Sequence, residues 1–289
     1  MDVIFKNKES REKINDWHNR FREKIKYPTE SKYIETSFGK THLLIGGQKN
    51  LPPLVLLHAA MTSSSHVLSE FSDLMKNFRV YAIDIIGQSV KSEDSKISVK
   101  NNNYGKWLLE VLDAYKLNKV NIVGVSWGGF IGIRTAIIAP ERINKMFLLV
   151  PAGLVNGSPW DGLRKMILPL YLYQKNQTPK RLNSFAKNLI TTMTDDWLPY
   201  IADSVLAYKT NMSIPSLVKE KELENYKAPT FVVGAELDVS FPGEKLINRS
   251  KKVFKNLINA ELIKNSLHCP PTTDEFRKWL IKEILNFLA

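Results

Sequence analysis

Residues 120–130 contain the feature that most constrains the fold, a serine placed between a strand and a helix. They read V-N-I-V-G-V-S-W-G-G-F. The branched apolar residues at the start predict a buried strand. The small-residue-rich stretch Phe130–Ala139, which stops at Pro140, predicts a helix. A G-x-S-x-G pattern over 124–128 joins the two, so Ser126 is predicted on a sharp strand-to-helix turn.

Such a turn has physical requirements that this sequence meets. A serine held there has an unfavourable backbone conformation, which costs on the order of 1–3 kcal/mol. Gly124 and Gly128 lack a Cβ and let the strand and the helix pass closely. The first N–H groups of the helix are free to bind an anion beside the serine. The alternative is a glycine-rich turn that contains a serine without chemical purpose.

Strands and helices alternate through most of the chain. The predicted strands, beside 120–125, are Lys32–Phe38, Lys40–Ile45, Leu54–Leu57, Arg79–Ile85, Lys145–Val150, Thr230–Gly234 and Ala260–Ile263. The predicted helices between them are Ser63–Lys76, Asn102–Tyr115, one from about Gly243, and Thr273–Phe287. The first two strands form a hairpin at Gly39. Mostly continuous apolar strands that alternate with helices predict an α/β fold whose mostly parallel, eight-stranded sheet has helices on both faces.

The alternation stops between residues 152 and 226. The predicted helices here are Trp160–Lys175, kinked by Pro169, then Pro179–Thr192 with Thr178 as its N-cap, and Asp195–Lys209. Their many aromatic residues form either the core of a helical insert or the underside of a lid over Ser126, and the sequence leaves both open. We therefore expect a helical cap over 152–226 and a core domain formed by 27–151 and 227–289.

Residues 1–26 precede the core and include a predicted amphipathic helix over 10–26. Ile14, Trp17, Phe21 and Ile25 recur at helical spacing. The narrow stripe favours a helix docked on the core, and a membrane-surface helix is the alternative.

Composition limits the class of protein. Of the 289 residues, 44% are hydrophobic and 24% charged, as in globular proteins with a sizeable core. The charged start shows no secretory signal, and no apolar run reaches transmembrane length, so stable membrane insertion is not expected. A single cysteine, Cys269, excludes an intrachain disulfide and favours a cytoplasmic protein. The net charge of +12 comes from dispersed lysines without a nucleic-acid-binding motif, so we expect a solvated basic surface and no nucleic-acid partner.

The order of residues along the chain predicts partners for Ser126. A nucleophilic serine needs a base to take its proton and an acid to orient that base. After a G-x-S-x-G serine, the acid comes next and the histidine last. Of five histidines only His268 follows Ser126. Asp238, in the loop after strand 230–234, is better placed than Glu236 to be the acid.

An oxyanion formed at Ser126 needs two backbone N–H donors. The motif predicts Trp127, the residue after the serine, and a residue of the loop that follows strand 54–57, for which we select Ala60. His58 and His66 are interpreted as structural. Cys269 is interpreted as a small buried residue. No cluster with metal-ligand spacing and no nucleotide-binding loop stands out in the sequence, so neither a metal nor a cofactor is predicted.

Taken together, these motifs resemble the α/β-hydrolase superfamily, in its branch of cap-bearing serine carboxylesterases, and especially bacterial carboxylesterases of the naproxen-esterase kind. The resemblance covers about Lys32 to Ala289. It rests on H-A-A-M-T-S-S (58–64), D-I-I-G-Q-S-V-K-S (84–92), G-V-S-W-G-G (124–129), G-A-E-L-D (234–238) and His268. The chain departs from the family in having Ala59 and Leu267 where glycine is usual, which bears on the geometry of the two loops.

The resemblance implies hydrolysis of a carboxylic ester of a small apolar substrate through an acyl-enzyme, with Ser126, His268 and Asp238 as the triad. The same triad also serves C–C bond hydrolysis and perhydrolysis. A sensor that binds a small ligand with slow or no turnover, and a lipase that acts at a membrane surface, are the other hypotheses. Dehalogenases and epoxide hydrolases are disfavoured, because these relatives carry aspartate at the position of Ser126. The oligomeric state is not predicted.

Overall fold

Two apolar layers sandwich a single twisted sheet. The computed structural model describes residues 3–194, 196–209 and 213–289. The strands are β1 (Thr29–Thr36), β2 (Gly39–Gly46), β3 (Pro53–Leu57), β4 (Arg79–Ile83), β5 (Val120–Val125), β6 (Ile143–Leu149), β7 (Thr230–Ala235) and β8 (Leu257–Ile263). Within the described residues these eight strands form one sheet in the order β1-β2-β4-β3-β5-β6-β7-β8. Only the β1–β2 and β2–β4 pairs are antiparallel, so the predicted mostly parallel sheet is confirmed.

Helices follow the strands as the alternation predicts. The α-helices are α1 (Lys8–Glu23), α2 (Ser64–Glu70), α3 (Asn103–Ala114), α4 (Trp127–Ile138), α5 (Pro159–Asp161), α6 (Leu168–Lys175), α7 (Pro179–Ala186), α8 (Trp197–Ala207), α9 (Gly243–Val253) and α10 (Asp274–Leu288). Short 3-10 helices occupy Ser72–Lys76, Pro140–Arg142 and Glu220–Leu223. Among the described helices, none combines the length and the apolar character that crossing a bilayer requires.

Strand β3 shows why the central strands read as continuous apolar runs. Successive side chains of a strand point to opposite faces of the sheet. Val55 and Leu57 therefore join the core layer that contains α3 and α4, whereas Leu54 and Leu56 join the layer that contains α2 and α10. Both faces are buried, so both sets must be apolar. The predicted α/β architecture, with helices on both faces of a mostly parallel sheet, is thereby confirmed.

The amphipathic N-terminal helix is α1, and its apolar stripe is buried in the protein. Trp17 and Phe21 pack edge-on against Tyr200 of α8, with ring centroids 5.6 and 5.2 Å apart. Phe21 also lies 4.3 Å from the ring of His66 on α2. The helix thus contacts both the sheet-covering helix α2 and the helical segment that follows β6.

Two helices of that segment differ from their predicted form. Residues Gly162–Ile167 adopt a π-helix just before Pro169, because proline lacks an N–H and its ring displaces the carbonyl one turn earlier. The predicted helix Pro179–Thr192 stops at Ala186. Its last residues instead pair with the loop near the C-terminus: the N–H of Thr191 donates to the carbonyl of Cys269 (3.1 Å). Asp195, the predicted start of the third helix, lies outside the described residues, and that helix is α8.

Candidate active site

Ser126 lies on the turn between β5 and α4 in a strained conformation. Its φ is +49° and its ψ is −104°, in a region that residues with a side chain rarely adopt. The backbone N–H of Ser126 donates to the carbonyl of Leu149 (2.9 Å), and its carbonyl accepts from Ala152 (3.0 Å). Hydrogen bonds on both sides of the turn therefore hold the serine in this conformation.

The two glycines of the motif allow β5 and α4 to approach. A Cβ on Gly128 would lie 2.3 Å from the carbonyl oxygen of Leu57 on β3, and a Cβ on Gly124 would lie 2.8 Å from the Gly128 backbone. Neither site has room for a methyl group. The close approach carries the Ser126 hydroxyl to the carboxyl end of the sheet.

The structure brings together the three predicted triad residues, although 142 positions separate the first from the last. Ser126 Oγ lies 3.0 Å from His268 Nε2. His268 Nδ1 lies 2.7 Å from Asp238 Oδ2. These distances permit proton transfer between serine and imidazole and fix the imidazole ring against the carboxylate.

Local backbone structure orients Asp238. Its Oδ1 accepts hydrogen bonds from the N–H groups of Ser240 (2.7 Å) and Phe241 (3.0 Å). Burial opposes the charged carboxylate, but His268 and these two donors outweigh it and hold the pKa of Asp238 below its usual value. Glu236, the alternative acid, faces away and pairs with Lys264 (2.9 Å).

The environment of His268 favours its protonated form. Burial disfavours the imidazolium, but the adjacent Asp238 carboxylate outweighs burial and raises the pKa of His268 above its usual value. The side chain of His268 remains 15% exposed. His268 and Ser126 both line the neighbouring cavity, so a substrate bound there would contact both residues.

The predicted oxyanion donors, Trp127 and Ala60, come from two different segments of the chain, and Ala60 lines the same cavity as Ser126. Trp127 is the first residue of α4, and Ala60 belongs to the loop after β3. Among the described residues, no acceptor receives a hydrogen bond from either backbone N–H. Both donors are therefore available to an incoming oxygen.

His58 braces the loop that carries Ala60. Its Nε2 accepts a hydrogen bond from the N–H of Ile85 (2.8 Å), and its Nδ1 lies 2.7 Å from the carbonyl of Ala59. Nδ1 must therefore carry the proton. Burial lowers the pKa of His58, which keeps the ring neutral. This geometry agrees with the interpretation of His58 as a structural residue.

An apolar cavity of about 250 Å³ opens next to Ser126 and His268. Apolar side chains from α8, from α10 and from the segment that follows α7 form much of the rest of its lining. They include Trp197, Ile201, Phe276, Leu280 and Leu189. The ion pair between Glu70 and Arg277 lies in the same lining and also borders a second, more polar cleft. The cavity suits a small apolar group bound to a reacting atom at Ser126.

Two residues to which the sequence analysis gave no chemical role also line this cavity: His66, interpreted as structural, and Cys269, interpreted as a small buried residue. Burial lowers the pKa of His66 to about 3, so its imidazole is neutral. Burial raises the pKa of the Cys269 thiol to about 12, so the thiol is not a nucleophile near neutral pH.

Glu70 and Arg277 were not predicted as part of the site. They are 207 positions apart, and no local pattern links them.

Comparison with known proteins identifies the class. A family model of the alpha/beta hydrolase fold matches residues 52–216, and the chain belongs to this family. The fold and the serine-containing elbow together define an α/β hydrolase.

Among this family the chain is related to carboxylesterases of Bacillus subtilis. It is 27% identical to the uncharacterized carboxylesterase nap over 83% of this chain and 80% of the relative. It is 26% identical to carboxylesterase YbfK over 91% of this chain and 90% of the relative. The crystal structure of naproxen esterase from the same organism superposes with a TM-score of 0.82 at 22% identity, covering 98% of this chain and all of that one (100%). The predicted resemblance to carboxylesterases is confirmed at this level.

Proposed function

We propose that this α/β hydrolase is a serine carboxylesterase that cleaves esters of small apolar substrates through an acyl-enzyme. The observation that carries the proposal is the hydrogen-bonded series Ser126–His268–Asp238, which opens onto an apolar cavity. Relatedness to carboxylesterases supports the same reaction class. No metal or cofactor is needed for this chemistry.

In the proposed first half-reaction, Ser126 Oγ bonds to the ester carbonyl carbon while its proton passes to His268 Nε2. The carbonyl oxygen becomes an oxyanion between the N–H groups of Ala60 and Trp127. His268 then gives the proton to the alcohol oxygen as the C–O bond breaks. The alcohol leaves, and the acyl group stays on Ser126.

In the second half-reaction, water bonds to the acyl carbon and gives a proton to His268. The imidazolium returns this proton to Ser126 Oγ as the acyl bond breaks, which releases the carboxylic acid. Asp238 accepts a hydrogen bond from His268 Nδ1 throughout. Its charge stabilises the imidazolium in both halves without taking the proton.

We also propose the division of the chain that this mechanism uses. Residues 27–151 and 227–289 form the catalytic core, and 152–226 form a cap. Side chains from 152–226 that border the cavity, such as Leu189, Trp197 and Ile201, support this role. The segment 1–26 contains helix α1, which packs on α2 of the core and also contacts α8.

Covalent labelling tests the proposal. Wild-type protein treated with a fluorophosphonate should gain one adduct by intact mass, on Ser126, and should turn over short p-nitrophenyl esters with a burst of p-nitrophenol. Ser126→Ala should lose both properties, and Ser184→Ala, an exposed serine on α7, should keep both. A folded wild-type protein with neither adduct nor turnover would refute the proposal and favour a ligand sensor.

A further inference from the structure

Three metal-binding side chains meet outside the candidate active site. They are His18 on α1, His42 on β2 and Asp84, which directly follows β4. One donor atom from each lies within 4.8 Å of the others. All three residues are buried, with 2%, 2% and 0% of their surface exposed.

His18 is the member of this cluster that lacks a hydrogen-bond partner. Neither ring nitrogen forms a hydrogen bond within the described residues, and His18 Nε2 lies 3.7 Å from Asp84 Oδ2. Buried polar atoms without a partner are rare in native proteins, and an ion is one of the accepted explanations. His18 thus presents a free imidazole nitrogen toward a buried carboxylate.

The other two side chains are held as metal ligands usually are. His42 Nδ1 lies 2.5 Å from Asp84 Oδ2, while His42 Nε2 lies 2.8 Å from Ser31 Oγ. Asp84 Oδ1 accepts from the N–H of Ser64 (2.9 Å). Ser31 and Ser64 are thus outer partners, and such partners fix the orientation of ligating imidazole and carboxylate groups.

The backbone also fixes the spacing of His42 and Asp84. The N–H of Asp84 donates to the carbonyl of His42 (2.9 Å). Ser92 Oγ bridges the pair, because it accepts from the N–H of His42 (2.9 Å) and donates to the carbonyl of Asp84 (2.6 Å). His42 and Asp84 are therefore pre-positioned, and only the docking of α1 is needed to add His18.

We propose that His18, His42 and Asp84 bind one zinc-like divalent transition-metal ion, which fastens α1 to the sheet. Two imidazoles and one carboxylate form a donor set suited to Zn²⁺ or Co²⁺, whereas Ca²⁺ and Mg²⁺ prefer oxygen donors only. The ion would lie between His42 Nδ1 and Asp84 Oδ2, while His42 keeps its one ring hydrogen on Nε2, directed at Ser31 Oγ. The same ion supplies a partner for His18. Because α1 packs on Tyr200 and His66, the ion would stabilise one side of the candidate active site without taking part in the chemistry there.

Chelator-treated protein titrated with Co²⁺ tests this site, because Co²⁺ bound by imidazole in a site of low coordination number absorbs visible light. We expect a band that saturates at one equivalent and that Zn²⁺ abolishes by competition. Zn²⁺ at 100 times its dissociation constant should raise the melting temperature by about 5 °C. His18→Gln should weaken binding by more than the roughly 10–100-fold that loss of an outer partner costs.

The matched control is His268→Gln, which removes the other histidine–carboxylate pair and should leave the Co²⁺ band unchanged. A band lost in His268→Gln but kept in His18→Gln would assign the metal to the candidate active site and overturn the proposal. Absence of stoichiometric Co²⁺ and Zn²⁺ binding by folded wild-type protein would overturn it as well, whatever the folding of the variants. The cluster would then be a metal-free polar contact between α1 and the sheet.

Discussion

The phenol of Tyr200 donates a hydrogen bond to the carbonyl of Met61 (2.6 Å). Tyr200 belongs to α8, and Met61 follows Ala60 in the loop after β3, where its φ is +55°. Trp17 and Phe21 pack against the same tyrosine ring. One side chain therefore connects the N-terminal helix, the proposed cap and the proposed oxyanion loop.

Tyr200→Phe should reduce turnover more than stability. Loss of the hydroxyl leaves the carbonyl of Met61 without this donor, at a cost of about 1 kcal/mol of unfolding free energy. We expect the looser loop to lower kcat on a short p-nitrophenyl ester by about 10-fold, since an oxyanion donor is worth about 10²–10³ in rate.

Tyr208→Phe is the matched control, because that buried phenol also donates to a carbonyl, on Gln88 (3.2 Å). It should lose similar stability in urea unfolding and keep its kcat. Equal kcat in both variants would show that Tyr200 has no special connection to the oxyanion loop.

The acid of the triad can be tested by comparing two neighbouring carboxylates. Asp238→Asn should lower kcat/KM by about 10⁴-fold, because the imidazole loses its orienting charge. Glu236→Gln, which removes only an exposed pairing with Lys264 and Asn265, should change kcat/KM by less than about 3-fold. Steady-state kinetics on folded variants measure both losses. A larger loss of kcat/KM in Glu236→Gln than in Asp238→Asn would make Glu236 the acid.

The pH dependence of activity should reflect the raised pKa of His268. Neutral imidazole is needed to accept the serine proton, so kcat/KM should rise with pH to a midpoint above 6.5, the usual value. In Asp238→Asn the charge that raises this pKa is gone, and burial alone then lowers it. The midpoint should move to lower pH, measured as the pH profile of residual activity. A midpoint that stays in place would show that Asp238 does not set the pKa of His268.

Stability should depend on pH through the same pair. His268 has a folded-state pKa above its unfolded value, so its contribution is complete below the unfolded pKa and is lost as pH rises through the folded pKa. Asp238 has a lowered folded-state pKa, so its contribution is present above the unfolded value and is lost as pH falls through the folded pKa. The difference in unfolding free energy between wild type and Asp238→Asn, measured by urea titration, should therefore shrink toward acid pH.

The elbow glycines can be tested for steric need. Gly128→Ala places a methyl group 2.3 Å from the carbonyl oxygen of Leu57, so we expect a loss of about 1–3 kcal/mol and a large loss of labelling by fluorophosphonate. Gly162→Ala is the control, because a Cβ there meets nothing within 4 Å and alanine favours helix by about 1 kcal/mol. Thermal unfolding should rank the control at or above wild type and Gly128→Ala below it.

The Glu70–Arg277 ion pair should limit the length of the group that fits the apolar cavity. Both side chains border this cavity and the polar cleft beyond it, with Arg277 Nη2 2.9 Å from Glu70 Oε1. Replacing both by alanine should join the two spaces and shift the preferred p-nitrophenyl acyl chain to a longer one.

Removing the exposed pair Arg249–Glu220 in the same way is the control and should leave the chain-length profile unchanged. An unchanged profile in the Glu70/Arg277 variant would place the bound chain elsewhere.

Local patterns were sufficient to predict the sheet and its helices, since burial of β3 or β5 on both faces requires a run of apolar residues that is visible in the sequence. Helix ends were predicted less well where a distant segment competes for the backbone. The helix from Pro179 ends at Ala186 because the backbones of Leu189 and Thr191 form hydrogen bonds with Cys269. No residue near position 186 indicates this ending in the sequence.

By itself the sequence determined the family, the elbow serine and the order of residues after it, because strand, turn and helix propensities and the spacing of G-x-S-x-G are local properties. Only the tertiary structure decided that His268 and Asp238 reach Ser126, that Glu70 and Arg277 border the same cavity, and that His18 meets His42 and Asp84. These contacts join residues far apart in the chain. Their geometry depends on how helices pack across the sheet, which is set by the sum of many buried contacts and not by any single stretch of sequence.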